Sequence, residues 1–177
     1  MYIRRVRNEA ESMRRFVEEL WLPYQHDLEK SVESHEMAEE IDVDEIVEFR
    51  TDWFDDPTKR LWVALDGVDN PTGAITDIDA TFAGFLGTSL QTPASKFETA
   101  DKLILGNFYV DPDYRGTALA DDLVARGVQQ AYEDGAEELT LQVHADNDRA
   151  LAYYEKLGFD VARYKMELPL EEIQLDV

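Results

Sequence analysis

The sequence predicts a single α/β (α+β) domain over residues 1–177, with a mixed central sheet of about six to seven strands flanked by about four helices. Three observations predict it. The 177 residues fit one domain of common size, and a hydrophobic content of 44% with 11% aromatic residues is enough for a full core. Short apolar runs of strand length are interspersed with segments whose apolar residues recur at helical spacing. No internal repeat or low-complexity linker interrupts the pattern, so the elements belong to one layered unit.

Residues 2–7 read as a short first strand. Asn8 and Glu11, three apart, make a capping-box-like start to a helix. Met13, Phe16, Val17 and Leu20 then form one apolar stripe, and this helix is expected to end near Pro23. Residues 24–45 are polar and strongly acidic. A second helix is predicted from Asp44, carrying Ile46, Val47, Trp53 and Phe54 on one face before Pro57. Residues 60–66 (RLWVALD) are a strand, and a turn cluster around Asn70 and Pro71 leads to its antiparallel partner at 80–91. After a loop with Pro93, residues 102–110 (KLILGNFYV) are mostly apolar, as expected of a central strand. The second half alternates: helix 118–133, strand 139–144, helix 148–157 and final strands through Leu168.

The chain has 17 Lys+Arg against 39 Asp+Glu, a formal net charge of −22. Such a surface repels phosphate backbones and anionic lipid, so nucleic acid and membranes are poor partners. The acidic residues run from Glu9 to Asp176 among apolar ones, a solvated coat on a globular domain. Arg outnumbers Lys 11 to 6. Together these biases resemble proteins of salt-rich, haloarchaeal-like cytoplasm, with an ordinary acidic protein as the alternative. Cysteine is absent, which removes disulfides, thiolate zinc sites and a cysteine nucleophile. Arg4, Arg5 and Arg7 precede an amphipathic segment without the apolar stretch of a signal peptide, and no run reaches transmembrane length. The expectation is a cytoplasmic protein.

Two motifs carry chemistry. The strand ending Phe108-Tyr109-Val110 runs into Asp111-Pro112-Asp113-Tyr114-Arg115-Gly116-Thr117 and then a helix, with Leu119, Ala120, Leu123, Val124, Gly127, Val128 and Ala131 on its apolar face. Asp122, Arg126, Gln129, Gln130 and Glu133 lie opposite. A helix opening at the end of a buried strand aims free N–H groups and a positive dipole end into the crevice beside the sheet, which suits a phosphate. The second motif runs from Asn147 to Phe159. Asn147 is placed to cap a helix, Ala150, Tyr154 and Leu157 share a face, and Gly158 ends it. Tyr153 and Tyr154 lie about 100° apart around that helix and so serve different jobs.

In the order and spacing of these motifs the chain closely resembles the GNAT superfamily of acyl-CoA-dependent N-acyltransferases, over roughly residues 102–168. The resemblance implies acetyl-CoA as co-substrate, with no metal. It implies that two parallel strands splay apart, that pantetheine pairs with Phe108, Tyr109 and Val110, and that the pyrophosphate rests on the amides of Arg115, Gly116, Thr117, Ala118, Leu119 and Ala120, with Asn147 in the second motif. Residues 1–100 would form the variable acceptor side. Arg115 supplies local charge relief, while Arg149 and Lys156 read as solvated surface charges. Tyr154 stands at the family's position for protonating the departing CoA thiolate. Tyr153 is assigned to the core.

The chain departs from the family pattern in two ways. Ala118 replaces the first glycine of the loop; αR dihedrals permit it there, so its consequence is steric. The places where many relatives carry a glutamate base hold Gly106, Asn107 and Gln142. A free alkylamine is only about 1/2000 neutral at pH 7, equivalent to ~4.6 kcal/mol, so a base or water relay is wanted. His144 is one substitute, set against a merely hydrogen-bonded or exposed histidine. His26, Glu33, His35 and Glu36 are others in an acidic loop, and none is assigned. Asp77-Ile78-Asp79 imitates a metal motif but reads as a solvated strand edge, and Asn70-Pro71-Thr72 is excluded as a glycan site by its proline. The expected activity is acetyl transfer to a primary amine of a small molecule, peptide or protein, and a homodimer is compatible with it. The alternatives are a non-catalytic acyl-CoA-binding sensor or subunit, and a binding module unrelated to CoA.

Overall fold

Alternation along the strands decides the layout. In the computed structural model, which describes residues 1–32, 34–68, 75–93 and 100–170, Leu61, Val63 and Leu65 face one side of the sheet and Trp62 and Ala64 the other, all of them buried. A strand buried on both faces is a central strand. Five strands, β1 (Tyr2–Arg5), β2 (Lys59–Asp66), β3 (Thr81–Gln91), β4 (Lys102–Val110) and β5 (Glu138–Leu141), pair in chain order among the described residues. The pairs β1–β2, β2–β3 and β3–β4 are antiparallel, and β4–β5 is parallel.

On one face lies a continuous helical stretch: α1 (Ala10–Phe16), a π-helical turn (Val17–Trp21) and α2 (Leu22–Glu29), with α3 (Val43–Phe54) beside it. Met13, Phe16, Val17 and Leu20, the stripe of helical spacing, are all buried there with Phe85 and Tyr109. On the other face α4 (Leu119–Asp134) lays Leu119, Leu123, Val124 and Ala131 against Trp62, Leu86, Leu103 and Leu105. The last helix, α5 (Asp148–Lys156), is capped by Asn147, whose Oδ1 accepts from the Ala150 amide at 3.1 Å.

Several sequence expectations are corrected. Among the described residues the sheet has five strands rather than six to seven. β5 stops at Leu141, short of His144, and no strand lies between residues 157 and 170, where Tyr164, Met166 and Leu168 are exposed without a neighbouring strand. Alternation alone makes no strand without a ladder to join. The first helix does not stop near Pro23, because the π turn resets the register and places the proline in the first turn of α2, where its missing N–H costs nothing. No capping box forms at α1; the Asn8 amide instead donates to Thr51 O (2.8 Å) and Asp55 Oδ1 (2.6 Å), tying the start of α1 to the end of α3. Residues 75–77 form a 3-10 turn rather than a strand edge. Gln130 is fully buried: its Oε1 accepts from Trp62 Nε1 (2.8 Å) and Thr88 Oγ1 (2.7 Å), and these partners satisfy the amide inside the core. Asn70-Pro71-Thr72 and Glu33 lie outside the described residues.

Candidate active site

The site begins where the sheet opens. Parallel pairing of β4 with β5 runs from Lys102↔Glu138 to Leu105↔Leu141 and stops, while β4 continues to Val110 on β3 alone. At that point β4 carries Gly106 and Asn107 against the single Gly87 of β3, a β-bulge that bends the strand. The β5-side edge of residues 106–110 therefore has no strand beside it among the described residues. Alternation puts Tyr109 on the α1–α2 face, 5% exposed, and Phe108 on the opposite face against α5. The Tyr109 phenol is pushed up to about 12 by burial, with Asp111 and Asp27 adding to it.

Beyond β4, Asp111 caps a 3-10 turn (Pro112–Tyr114), and the chain reverses through Gly116 at φ 74, a conformation that favours glycine. Of the six amides expected to receive a pyrophosphate, that of Arg115 donates to Pro112 O (3.3 Å) and that of Leu119 to Thr117 Oγ1 (3.3 Å). The Leu119 side chain is buried in the core. The amides of Gly116, Thr117, Ala118 and Ala120 have no acceptor among the described residues. Ala118 is αR at φ −72 and exposed, so its backbone is unstrained. These four N–H groups stand at the positive end of a 16-residue helix, a nest of donors that suits an anion.

The Arg115 side chain bridges to the acceptor half. Its Nε donates to Val110 O (3.1 Å) and its Nη2 to Asp27 Oδ2 on α2 (2.7 Å). Arg149 of α5 donates to the same oxygen at 2.8 Å, so it is a paired cation and not the free surface charge its position in the sequence implied. Burial acts to raise the Asp27 pKa, but the hydrogen bonds from Arg149 and Arg115 outweigh it and hold the carboxyl below its usual range. A depressed folded pKa means that this contribution to stability is present above pH ~4 and is lost as pH falls through the folded value. Asp27→Asn is expected to lower the apo Tm at pH 7, with the difference from wild type shrinking below pH ~4. It also removes a negative charge from two arginines beside the nest, so CoA should bind about three- to tenfold tighter. Melts from pH 3 to 7 and CoA calorimetry check both directions.

The two tyrosines of α5 diverge as their angular spacing requires. Tyr153 stacks on Phe108 (5.9 Å between centroids) and donates its hydroxyl to Asp121 Oδ1 (3.0 Å), which makes it a half-buried rim residue rather than a core one. Tyr154 packs between Phe159 (5.7 Å) and Phe108 (6.4 Å). Its phenol is pushed up to about 12 by burial, with a smaller effect from Tyr24 of α2. Tyr24 in turn packs on Phe85 (5.5 Å) and Tyr109 (5.8 Å).

A cavity of about 300 Å³ lies on the α1–α3 side of the bulge. Phe16, Trp53, Phe54 and Phe85 form its apolar walls, Gly106 and Asn107 its floor, and Arg50 is its one charged side chain. A second cavity, also about 300 Å³, is bordered by residues 5–8 and 59–61, by Met13 and by Phe54. No histidine or carboxylate lines the cavity at the bulge. His144 and Gln142 are exposed beyond the end of β5. His26 is exposed beside Glu29 (3.7 Å), His35 is held by Gln25 Oε1 (2.7 Å), and Glu36 is exposed. Among the described residues no cluster of His, Cys, Asp and Glu is placed to hold a metal ion.

Residues 14–159 match the model of the acetyltransferase (GNAT) family. The chain belongs to the GNAT family. A mycothiol acetyltransferase of Corynebacterium aurimucosum is 41% identical over 70 residues, 38% of this chain and 23% of that protein. An N-alpha-acetyltransferase of Arabidopsis thaliana is 46% identical over 46 residues, 26% of this chain and 24% of that protein. The chain thus spans about a quarter of the length of these curated relatives. A mutant BH1408 protein from Bacillus halodurans superposes with a TM-score of 0.73 over 96% of this chain and 99% of that one at 19% identity, a likeness of fold alone.

Within this GNAT fold Phe108, Tyr109 and Val110 lie on β4 beyond the end of its pairing with β5, residues 115–120 follow at the start of α4, Asn147 caps α5, and Tyr154 on α5 packs near Phe108. Three residues near the candidate site escaped sequence reasoning. Asp27 and Tyr24 lie in an acidic stretch whose helix was missed. Arg50 stands alone as a cation among the apolar and acidic residues of α3, and that isolation was the available signal.

Proposed function

We propose that this chain is an N-acetyltransferase that passes the acetyl group of acetyl-CoA to a primary amine by direct attack in a ternary complex. The observation that carries it is the unpaired β4 edge at residues 106–110, which ends at four free amides and faces Tyr154. Phe108, Tyr109 and Val110 would offer backbone pairing to pantetheine, and the amides of Gly116, Thr117, Ala118 and Ala120 would receive the pyrophosphate. Acetyl-CoA supplies the acyl thioester, and the residues around it orient and protonate. Tyr154 keeps its proton through the neutral range and holds it for the departing sulfur. The cavity at the bulge receives the acceptor, and its apolar walls disfavour a charged amine there, lowering the amine's pKa without a dedicated base. Residues 1–100 would shape the acceptor side and 102–168 the cofactor side. The relatives' names agree on acetyl transfer and differ in the acceptor.

Acceptor-dependent release of the CoA thiol across a panel of amines tests the proposal. A protein that binds acetyl-CoA and releases none supports the second reading, a non-catalytic acyl-CoA-binding protein, which the cavity's lack of a base favours. The absence of cysteine and the acidic coat support a cytoplasmic, salt-rich setting. The Debye length falls from ~10 Å at 0.1 M to ~3 Å at 1 M, so repulsion among −22 charges is relieved while attraction of CoA to the nest weakens. The apo Tm is expected to rise from dilute buffer to molar KCl as CoA affinity falls. A flat or falling Tm would contradict salt adaptation.

A further inference from the structure

The cavity at the bulge holds a cation that no carboxylate among the described residues neutralises. Arg50 projects from α3 with its Nε buried and without a hydrogen-bond partner. Its guanidinium lies 4.9 Å from the centroid of the Trp21 ring and 5.9 Å from that of Phe49, within cation–π range of both. Arg14, Arg15, Arg60, Arg115, Arg126 and Arg149 each pair with a carboxylate, and Arg5, Arg7 and Arg163 stand exposed in water, whereas half-buried Arg50 pairs with none among the described residues, although the chain carries 39 acidic groups. Burial lowers the pKa of its guanidinium, the direction of a desolvated cation without a counter-ion, and Tyr24 only partly offsets it. A cation half-buried without a counter-ion has lost hydration that a ligand's carboxylate would replace.

We propose that Arg50 is the subsite for a carboxylate carried by the acceptor, so that the amine substrate is an amino acid or a similar amine bearing a carboxylate and an apolar side group. The inference rests on the transferase reading of this cavity. One guanidinium matches one carboxylate in a bidentate fork. A phosphate would bring a second charge into a protein of net charge −22 with no second cation in the cavity. Phe16, Trp53, Phe54 and Phe85 would receive the apolar group, and the bulge at Gly106 and Asn107 would bring the amine toward the acyl group.

The experiment titrates phenylalanine and phenylalaninamide, which differ at the carboxylate and share the amine and ring, into CoA-saturated protein by calorimetry. Wild type is expected to prefer the acid by at least tenfold. Arg50→Gln is expected to abolish the preference, and Arg50→Lys to retain part of it, with circular dichroism reporting the fold of each variant. Equal affinities in wild type, no binding of the acid, or a preference that survives Arg50→Gln would overturn the subsite. Thiol release from acetyl-CoA is read in parallel with the same amines. A binding preference without turnover would sink the transferase reading and leave the subsite standing, and turnover without preference would do the reverse.

Discussion

Replacing Tyr154 by Phe is expected to lower kcat about 10- to 100-fold while acetyl-CoA affinity changes little, because a general acid acts on charge that develops only in the transition state. The ring's packing against Phe108 and Phe159 survives the substitution and only the hydroxyl is lost. With the phenol near 12, transfer to a thiolate whose thiol titrates near ~8.5 in water is uphill by ~5 kcal/mol. The burial that raises the phenol raises the thiol as well, and the gap narrows in the site. The sign has a kinetic consequence. A raised phenol pKa keeps the acid protonated, so Tyr154 imposes no alkaline limb on kcat below pH ~11. Tyr153→Phe is expected to turn over near the wild-type rate, because that hydroxyl is spent on Asp121. Steady-state kinetics from pH 6 to 10 on both variants check this, and a reversal of the two would refute the assignment.

Gly84→Ala is expected to be the most destabilising single-methyl change among the glycines described. Its backbone is ordinary and the obstacle is space: an added Cβ would lie 2.6 Å from Tyr109 O, 3.3 Å from Val110 Cα and 3.4 Å from Leu123 Cδ1. A backbone oxygen paired in a central sheet cannot swing aside, so β3 and β4 must separate. Overpacking of this kind costs about 3 kcal/mol, or about 6–12 °C in Tm for a chain of this length. Because the displaced residues are Tyr109 and Val110, CoA affinity should fall in the same variant. Thermal melts with and without CoA measure both effects. A Tm within about 2 °C of wild type would show that the strands yield more easily than this geometry allows.

The second half of the chain was legible because each signal there is local. Apolar spacing defines α4, Asn147 and Gly158 bracket α5, and the turn before Gly116 follows from residue types that need no partner elsewhere. The features missed are tertiary. Pro23 breaks a regular helix, and only the π turn before it makes room for one more segment. Gln130 sits at a polar position of α4 and is buried because Trp62 and Thr88, about 70 and 40 residues away, supply its partners. Asp27 reads as one more charge in an acidic stretch until Arg115 and Arg149 are brought to it, and Arg50 gains meaning only when the rings and the cavity around it are seen. Residues 160–168 alternate as a strand does, yet alternation cannot supply a neighbour to pair with. Tyr154 was found through the family motif, not through its chemistry, since a helical tyrosine is usually only packing.

Amide hydrogen exchange with and without CoA tests the central claim most directly, because the proposed site is defined by backbone N–H groups. Protection is expected to rise on CoA addition at Phe108, Tyr109 and Val110 and at Gly116, Thr117, Ala118 and Ala120, with the far strands β1 and β2 unchanged. CoA binding that leaves these amides exchanging as in the free protein, or that protects residues remote from the β4–β5 opening, would contradict it.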